Sequence, residues 1–217
     1  MVSVVTKRIA LYFAALCLGA LAGLAQAGDP PRVVAAGEWS KVVADSRGYA
    51  LRGRLVICEQ QRGDRRETPV YVELQDACEF IGQSMRLYCD LGKHDFRPEY
   101  KGGLNCELLD KDQKPVDSVG FPFGGATPIS QWLTLPRDAT IRLRATPFGI
   151  SRENALAICP HLGKLWIIAA DDPNEYSFSG AFTIDPAESL TPADLGNDHI
   201  WRGTLELPAV KIGGKGK

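Results

Sequence analysis

The residues best suited to chemistry in this chain are its six cysteines and three histidines. Cys159 and His161 flank Pro160 in "NALAICPHLGKLW", residues 154 to 166, where a thiol and an imidazole two residues apart raise the question of a nucleophile and its base. Cys-His catalysis usually joins groups distant in sequence, with a third group orienting the imidazole and backbone donors holding an oxyanion. Here no glycine-rich loop or helix start follows Cys159, and Pro160 keeps it out of helix geometry, so the thiol lacks the helix N-terminus that most readily activates a thiolate. The other histidines, His94 in "LGKHDFRPEY" and His199 in "GNDHIW", each adjoin an aspartate in a polar stretch. They show no ligand spacing, and no two cysteines stand as C-x2-C. No G-x-S-x-G, H-E-x-x-H, phosphate-loop or dinucleotide fingerprint is present. The residues therefore nominate no catalytic, cofactor or metal site, and the chain reads as a non-enzyme.

The compartment is easier to read. Lys7 and Arg8 precede an apolar run from Ile9 to Leu24, which is followed by Ala25-Gln26-Ala27. A charged start, a short apolar core and small residues around one position make residues 1–27 a signal peptide cleaved after Ala27. The apolar run falls short of the roughly 20 residues that cross a bilayer, so no membrane span is expected in the mature chain. Leu16 ahead of Cys17 argues against a lipid anchor. The mature chain would start at Gly28 and be secreted or periplasmic, with 190 residues in one domain.

Removal of the leader leaves 23 basic against 26 acidic residues, a balance that does not attract nucleic acid. The one basic cluster, Arg62 to Arg66 (RGDRR), reads as a solvated turn. Five cysteines remain, an odd number that leaves at least one thiol unpaired. Outside the cytoplasm disulfides are permitted. Cys89 and Cys106, 17 residues apart around a glycine- and proline-containing loop, are the expected bridge. The alternative is five buried thiols acting as small apolar residues.

The elements that must position any site alternate by twos. Val70, Val72 and Leu74 face opposite to Tyr71, Glu73 and Gln75, and Ile141, Leu143 and Ala145 face opposite to Arg142 and Arg144, which predicts a half-buried strand with a cationic outer face. Asp110 to Gln113 and Asp171 to Asn174 read as hairpin turns. "LRGRLVI" (51–57), "FSGAFTI" (178–184) and "WRGTLEL" (201–207) share a glycine at the same inward place, where a bulky side chain such as Trp132 or Trp166 would fit. "SRENALAI" (151–158) reads as the one longer helix, with single helical turns at 185–188 and 191–194. Residues 28–37 and 213–217 read as a flexible segment and a disordered tail around a domain at 38–212.

Four tryptophans, Trp39, Trp132, Trp166 and Trp201, permit a carbohydrate-binding reading, although Trp166 and Trp201 sit in strand runs typical of a core. The loop 119–132 holds Phe121, Phe123 and Trp132 in a proline and glycine frame and is the expected binding loop.

With a G-x-L strand near its start and "WRGTLELPAV" near its end, the chain resembles uncharacterised secreted bacterial proteins with a single immunoglobulin-like or fibronectin-like domain. The resemblance implies an all-β, immunoglobulin-like antiparallel β-sandwich with short helical turns in its connections, and it carries no catalytic residues. The functional expectation is an exported, non-enzymatic module that binds a protein or cell-envelope component. A carbohydrate-binding module is the alternative, followed by a small hydrolase or metal-binding protein using His94, Cys159, His161 or His199.

Overall fold

The computed structural model describes residues 30–79, 84–89, 103–119, 131–145, 155–160, 164–169, 171–186 and 200–213. These form an all-β, multi-sheet domain consistent with a β-sandwich-type fold, and no helix occurs among the described residues. In chain order the strands are β1 (Arg32–Ala36), β2 (Val43–Ala44), β3 (Ala50–Arg62), β4 (Arg65–Glu67), β5 (Val70–Asp76), β6 (Met85–Cys89) and β7 (Gly103–Leu109). There follow β8 (Gln131–Leu135), β9 (Thr140–Arg144), β10 (Ala155–Ile158), β11 (Trp166–Ala169), β12 (Glu175–Ile184) and β13 (Gly203–Gly213).

Two sheets enclose the core. One runs β1-β3-β5-β9, with β2 and β4 also paired to β3, and the other runs β13-β12-β7. Period-two patterning supplies their inner faces: Leu51, Leu55 and Ile57 of β3 and Val70, Val72 and Leu74 of β5 are fully buried, as are Phe178, Phe182 and Leu205 of the second sheet. The smaller sheets, β6-β8 and β10-β11, add Leu87, Leu135, Ile158 and Trp166 to the same cluster.

Two irregularities occur on edge strands, where a lost ladder bond costs least. Between Phe178↔Val210 and Gly180↔Leu207 the edge strand β13 carries an extra residue, so Pro208, which has no N–H to donate, sits in a bulge. On β1, Val34 is the extra residue between Val33↔Cys58 and Ala35↔Ile57. That strand lies within the 28–37 segment that the sequence marks as flexible.

Several expectations are corrected. Residues 155–158 of the anticipated helix form a strand paired antiparallel with β11, Ala155 opposite Ala169 and Ile158 opposite Trp166. Partner-strand pairing thus overrides the local helix preference. The Asp110 turn does reverse the chain, with Asp110 and Lys114 bonded across it and Pro115 opposite Leu109. The Asp171–Asn174 turn instead carries the chain between sheets, because β11 pairs with β10 while β12 pairs with β7 and β13.

The Cys89–Cys106 disulfide is also overturned, since no two described cysteines lie at bonding distance. Cys89 ends β6 in one sheet and Cys106 lies mid-strand in another. The Cys106 sulfur points at its cross-strand neighbour Gly180, 2.8 Å from where a β-carbon there would stand. The shared glycine pattern has three separate causes: Gly53 faces the side chains of Leu205, Leu207 and Leu74, Gly180 faces Asn105 and Cys106, and Gly203 faces the indole of Trp201. Neither Trp132 nor Trp166 is among these nearest neighbours.

Candidate binding face

On β3 the odd positions enter the core, so Arg52, Arg54, Val56, Cys58 and Gln60 face outward. The same alternation presents Tyr71, Glu73 and Gln75 from β5 and Thr140, Arg142 and Arg144 from β9. Antiparallel register then aligns Arg54, Glu73 and Arg142 in one row across three strands, between a row of Arg52, Gln75 and Thr140 and a row of Val56, Tyr71 and Arg144. Residues far apart in sequence become direct neighbours.

Glu73 is the hinge of this face. Only 4% of it is exposed, although it lies on the side of the sheet away from the core. One oxygen, Oε1, accepts from Nε and Nη2 of Arg142 at 2.8 and 2.5 Å, and Oε2 accepts from Nε of Arg54 at 2.6 Å. Burial by itself would raise the Glu73 pKa, but the hydrogen bonds and charges of Arg142 and Arg54 together bring it below the usual glutamate value. In return, the hydrogen bond to Glu73 raises the pKa of Arg142.

The arginines are ordered from several sides. Arg142 also lies over the Tyr71 ring, 5.7 Å from its centroid, with Nη1 4.0 Å from the Cys58 sulfur. Val56, Cys58 and Tyr71 form a small buried apolar cluster of their own on this face. Arg144 pairs with buried Glu67 at 2.9 Å, and its Nη1 donates to Gln60 at 3.3 Å. Arg52 donates through Nε to Gln75 at 2.7 Å.

Trp39 completes the face. Gly37 N–H bonds Leu55 C=O, while Ser40 and Gly53 exchange two bonds, Ser40 N–H to Gly53 C=O and Gly53 N–H to the Ser40 hydroxyl. The 37–40 segment is thereby clasped along β3, which sets the half-buried Trp39 ring 4.5 Å from the Arg54 guanidinium and 5.2 Å from that of Arg52. At the far end of β3, Gly63 turns the β3–β4 hairpin with φ +59°, and Arg32 and Arg66 both pair with Glu59. Among the described residues, four guanidiniums on the outward rows therefore meet two carboxylates, Glu73 and Glu67. The cationic surplus is local, because the whole chain carries a formal charge of −1.

The anticipated sites fare differently. Phe121, Phe123, His94, His161, His199 and the leader, residues 1–27, lie outside the described residues. Trp132 is half-buried on β8, its ring 5.1 Å from that of Tyr88. Trp166 and Trp201 are buried, and their indole N–H groups donate to the carbonyls of Val116 and Val43 at 2.9 and 3.3 Å. The four tryptophans therefore divide between core and surface and build no common stacking platform. Cys159 is fully buried, and burial pushes its thiol up to about 11, opposite to what a nucleophile needs. Among the described residues no three His, Cys, Asp or Glu side chains gather as a metal site, and no helix is long and apolar enough to cross a membrane.

The arginine rows are only partly legible in the sequence. The outward arginines of β9 were visible in the alternation of "TIRLRAT", but their convergence with Arg52, Arg54, Glu73 and Trp39 depends on which strands pair. No family model matches the chain, and neither the curated proteins nor the solved structures compared with it include a significant match.

Proposed function

We propose that this chain is an exported, non-enzymatic binding module that engages a protein or cell-envelope component through the outer face of its β3, β5 and β9 strands. The observation that carries the reading is the row Arg54, Glu73, Arg142 with Trp39 beside it. Arginine, tryptophan and tyrosine are the residues that most often dominate binding energy at interfaces. Here the arginines are held by a buried carboxylate and need lose little side-chain freedom on binding. Export rests on the signal-peptide pattern of residues 1–27, and the immunoglobulin-like or fibronectin-like form of the domain belongs to the same proposal.

The test is site-specific photo-crosslinking in cells. A crosslinker at the exposed Thr140, in the row beside Arg142, should trap an envelope component, and one at the exposed Glu206 on β13 should not. Retention of the protein in the cytoplasm, or equal crosslinking from both positions, would overturn the reading. If glycans alone were captured at Thr140, the carbohydrate-binding alternative would replace it.

A further inference from the structure

We infer that the partner of this face is an acidic, extended protein segment with carboxylates at alternate positions; the inference rests on the docking reading above and specifies its chemistry. The face is cationic within a chain of negative formal charge, so the complementary surface is anionic. Its guanidiniums are also partly unspent. Arg54 gives Nε to Glu73 and Arg52 gives Nε to Gln75, so among the described residues the terminal nitrogens of both are engaged only through the face of Trp39. Arg142 gives Nε and Nη2 to Glu73 and keeps Nη1, which among the described residues has the long contact to the Cys58 sulfur while the guanidinium lies over the Tyr71 ring. The side chains of Arg54 and Arg142 are 30% and 37% exposed, enough for an incoming group to reach them.

The spacing favours a peptide. Arg52 and Arg54 stand two residues apart on one strand, so their α-carbons are about 7 Å apart, the repeat at which an extended peptide presents side chains on one side. Arg142 lies two strands away, at about 10 Å, on the same row as Arg54. A segment with acids at alternate positions laid along β3 would set successive carboxylates against Arg52 and Arg54, with Trp39 supplying an apolar wall. A single small anion would satisfy one guanidinium and leave the periodicity unused.

The experiment titrates the purified protein with a fluorescent peptide of alternating glutamate and serine, a glutamine and serine counterpart, and polygalacturonate as a carboxylated polysaccharide. The glutamate peptide should bind about tenfold or more tighter than its neutral counterpart and weaken steeply between about 50 and 500 mM salt. Arg52→Glu should cost about tenfold in affinity for it while the melting curve stays that of the parent, since Arg52 pairs only with Gln75 and the Trp39 ring among the described residues. Should Arg52→Glu fail to fold, Arg52→Gln is measured instead, with a loss of severalfold expected. Equal binding of the two peptides, indifference to the Arg52 change, or preference for polygalacturonate at equal carboxylate concentration would each overturn the inference. Crosslinking at Thr140 separates the two levels: a trapped component without acidic-peptide binding removes only the partner class, and loss of both removes the docking face with it.

Discussion

Arg142 directs two nitrogens, Nε and Nη2, at a single oxygen of Glu73, while the second oxygen of that carboxylate accepts from Arg54 on the opposite neighbouring strand. The central strand thus carries a buried negative charge shared between two flanking positive ones. This explains how a glutamate remains ionised on a face that its own arginines cover. Deleting one partner from such a group leaves the others desolvated and unpaired, which costs more than the net value of the intact pair.

Glu73→Gln is therefore expected to destabilise the domain by about 1 to 3 kcal/mol at neutral pH. The pH dependence follows from the lowered pKa. A carboxyl that binds its proton less readily when folded contributes stability that is fully present above the unfolded value, about 4.3 for glutamate, and that is lost as pH falls through the lower folded value. Urea melts of parent and variant should differ most near neutrality and begin to converge only as pH falls below the unfolded value of about 4.3. A gap that stays constant down to acid pH would show that Glu73 does not hold its charge through these arginines.

The three strand glycines should respond in a definite order. A β-carbon at Gly180 would stand 2.7 Å from the Asn105 carbonyl oxygen, a backbone atom that cannot turn away, and 2.8 Å from the Cys106 sulfur. At Gly203 it would stand 2.9 Å from the Trp201 ring, which is fully buried, whereas at Gly53 it meets leucine methyl groups at 3.0 to 3.2 Å that can rotate. Thermal melts should rank Gly180→Ala as the most damaging, then Gly203→Ala, then Gly53→Ala, with overpacking costs on the order of 1 to 3 kcal/mol. A parent-like melt for Gly180→Ala would contradict the close approach of β7 and β12.

Thiol chemistry should be slow and selective. Cys58, Cys89, Cys106 and Cys159 are buried, and Cys78 is half-exposed. Burial, with smaller contributions from Asp76 and Asp45, pushes the Cys78 thiol up to about 11, so its thiolate is scarce at neutral pH. Alkylation of native protein should begin at Cys78, accelerate as pH rises toward that value, and reach the other four only in denaturant. Non-reducing peptide mapping that recovered Cys89 linked to Cys106 would contradict the placement of β6 and β7 in different sheets.

Under the proposed export, the protein recovered outside the cytoplasm is expected to begin at Gly28, with the basic pair Lys7 and Arg8 removed along with the apolar run. Intact mass of protein recovered outside the cytoplasm reads this directly. A full-length 217-residue mass recovered from the cytoplasm would contradict export.

Sequence alone determined the class of the fold and its inward faces. A two-residue period is a property of each strand, so the burial of Leu51, Leu55 and Ile57, and of Val70, Val72 and Leu74, follows from local order without knowledge of any partner. The outward arginines of β9 were legible for the same reason. Tertiary structure decided everything that depends on which strands pair. Cys89 and Cys106 are separated because β6 and β7 join different sheets, and Ala155 to Ile158 are extended because β11 offers them a ladder. Glu73 lies between Arg54 and Arg142 because β5 sits between β3 and β9, and Trp39 reaches the arginines because the 37–40 segment is hydrogen-bonded along β3. Strand pairing is non-local: its register is set by the packing of two complete sheets, a sum over many side chains that no single segment encodes.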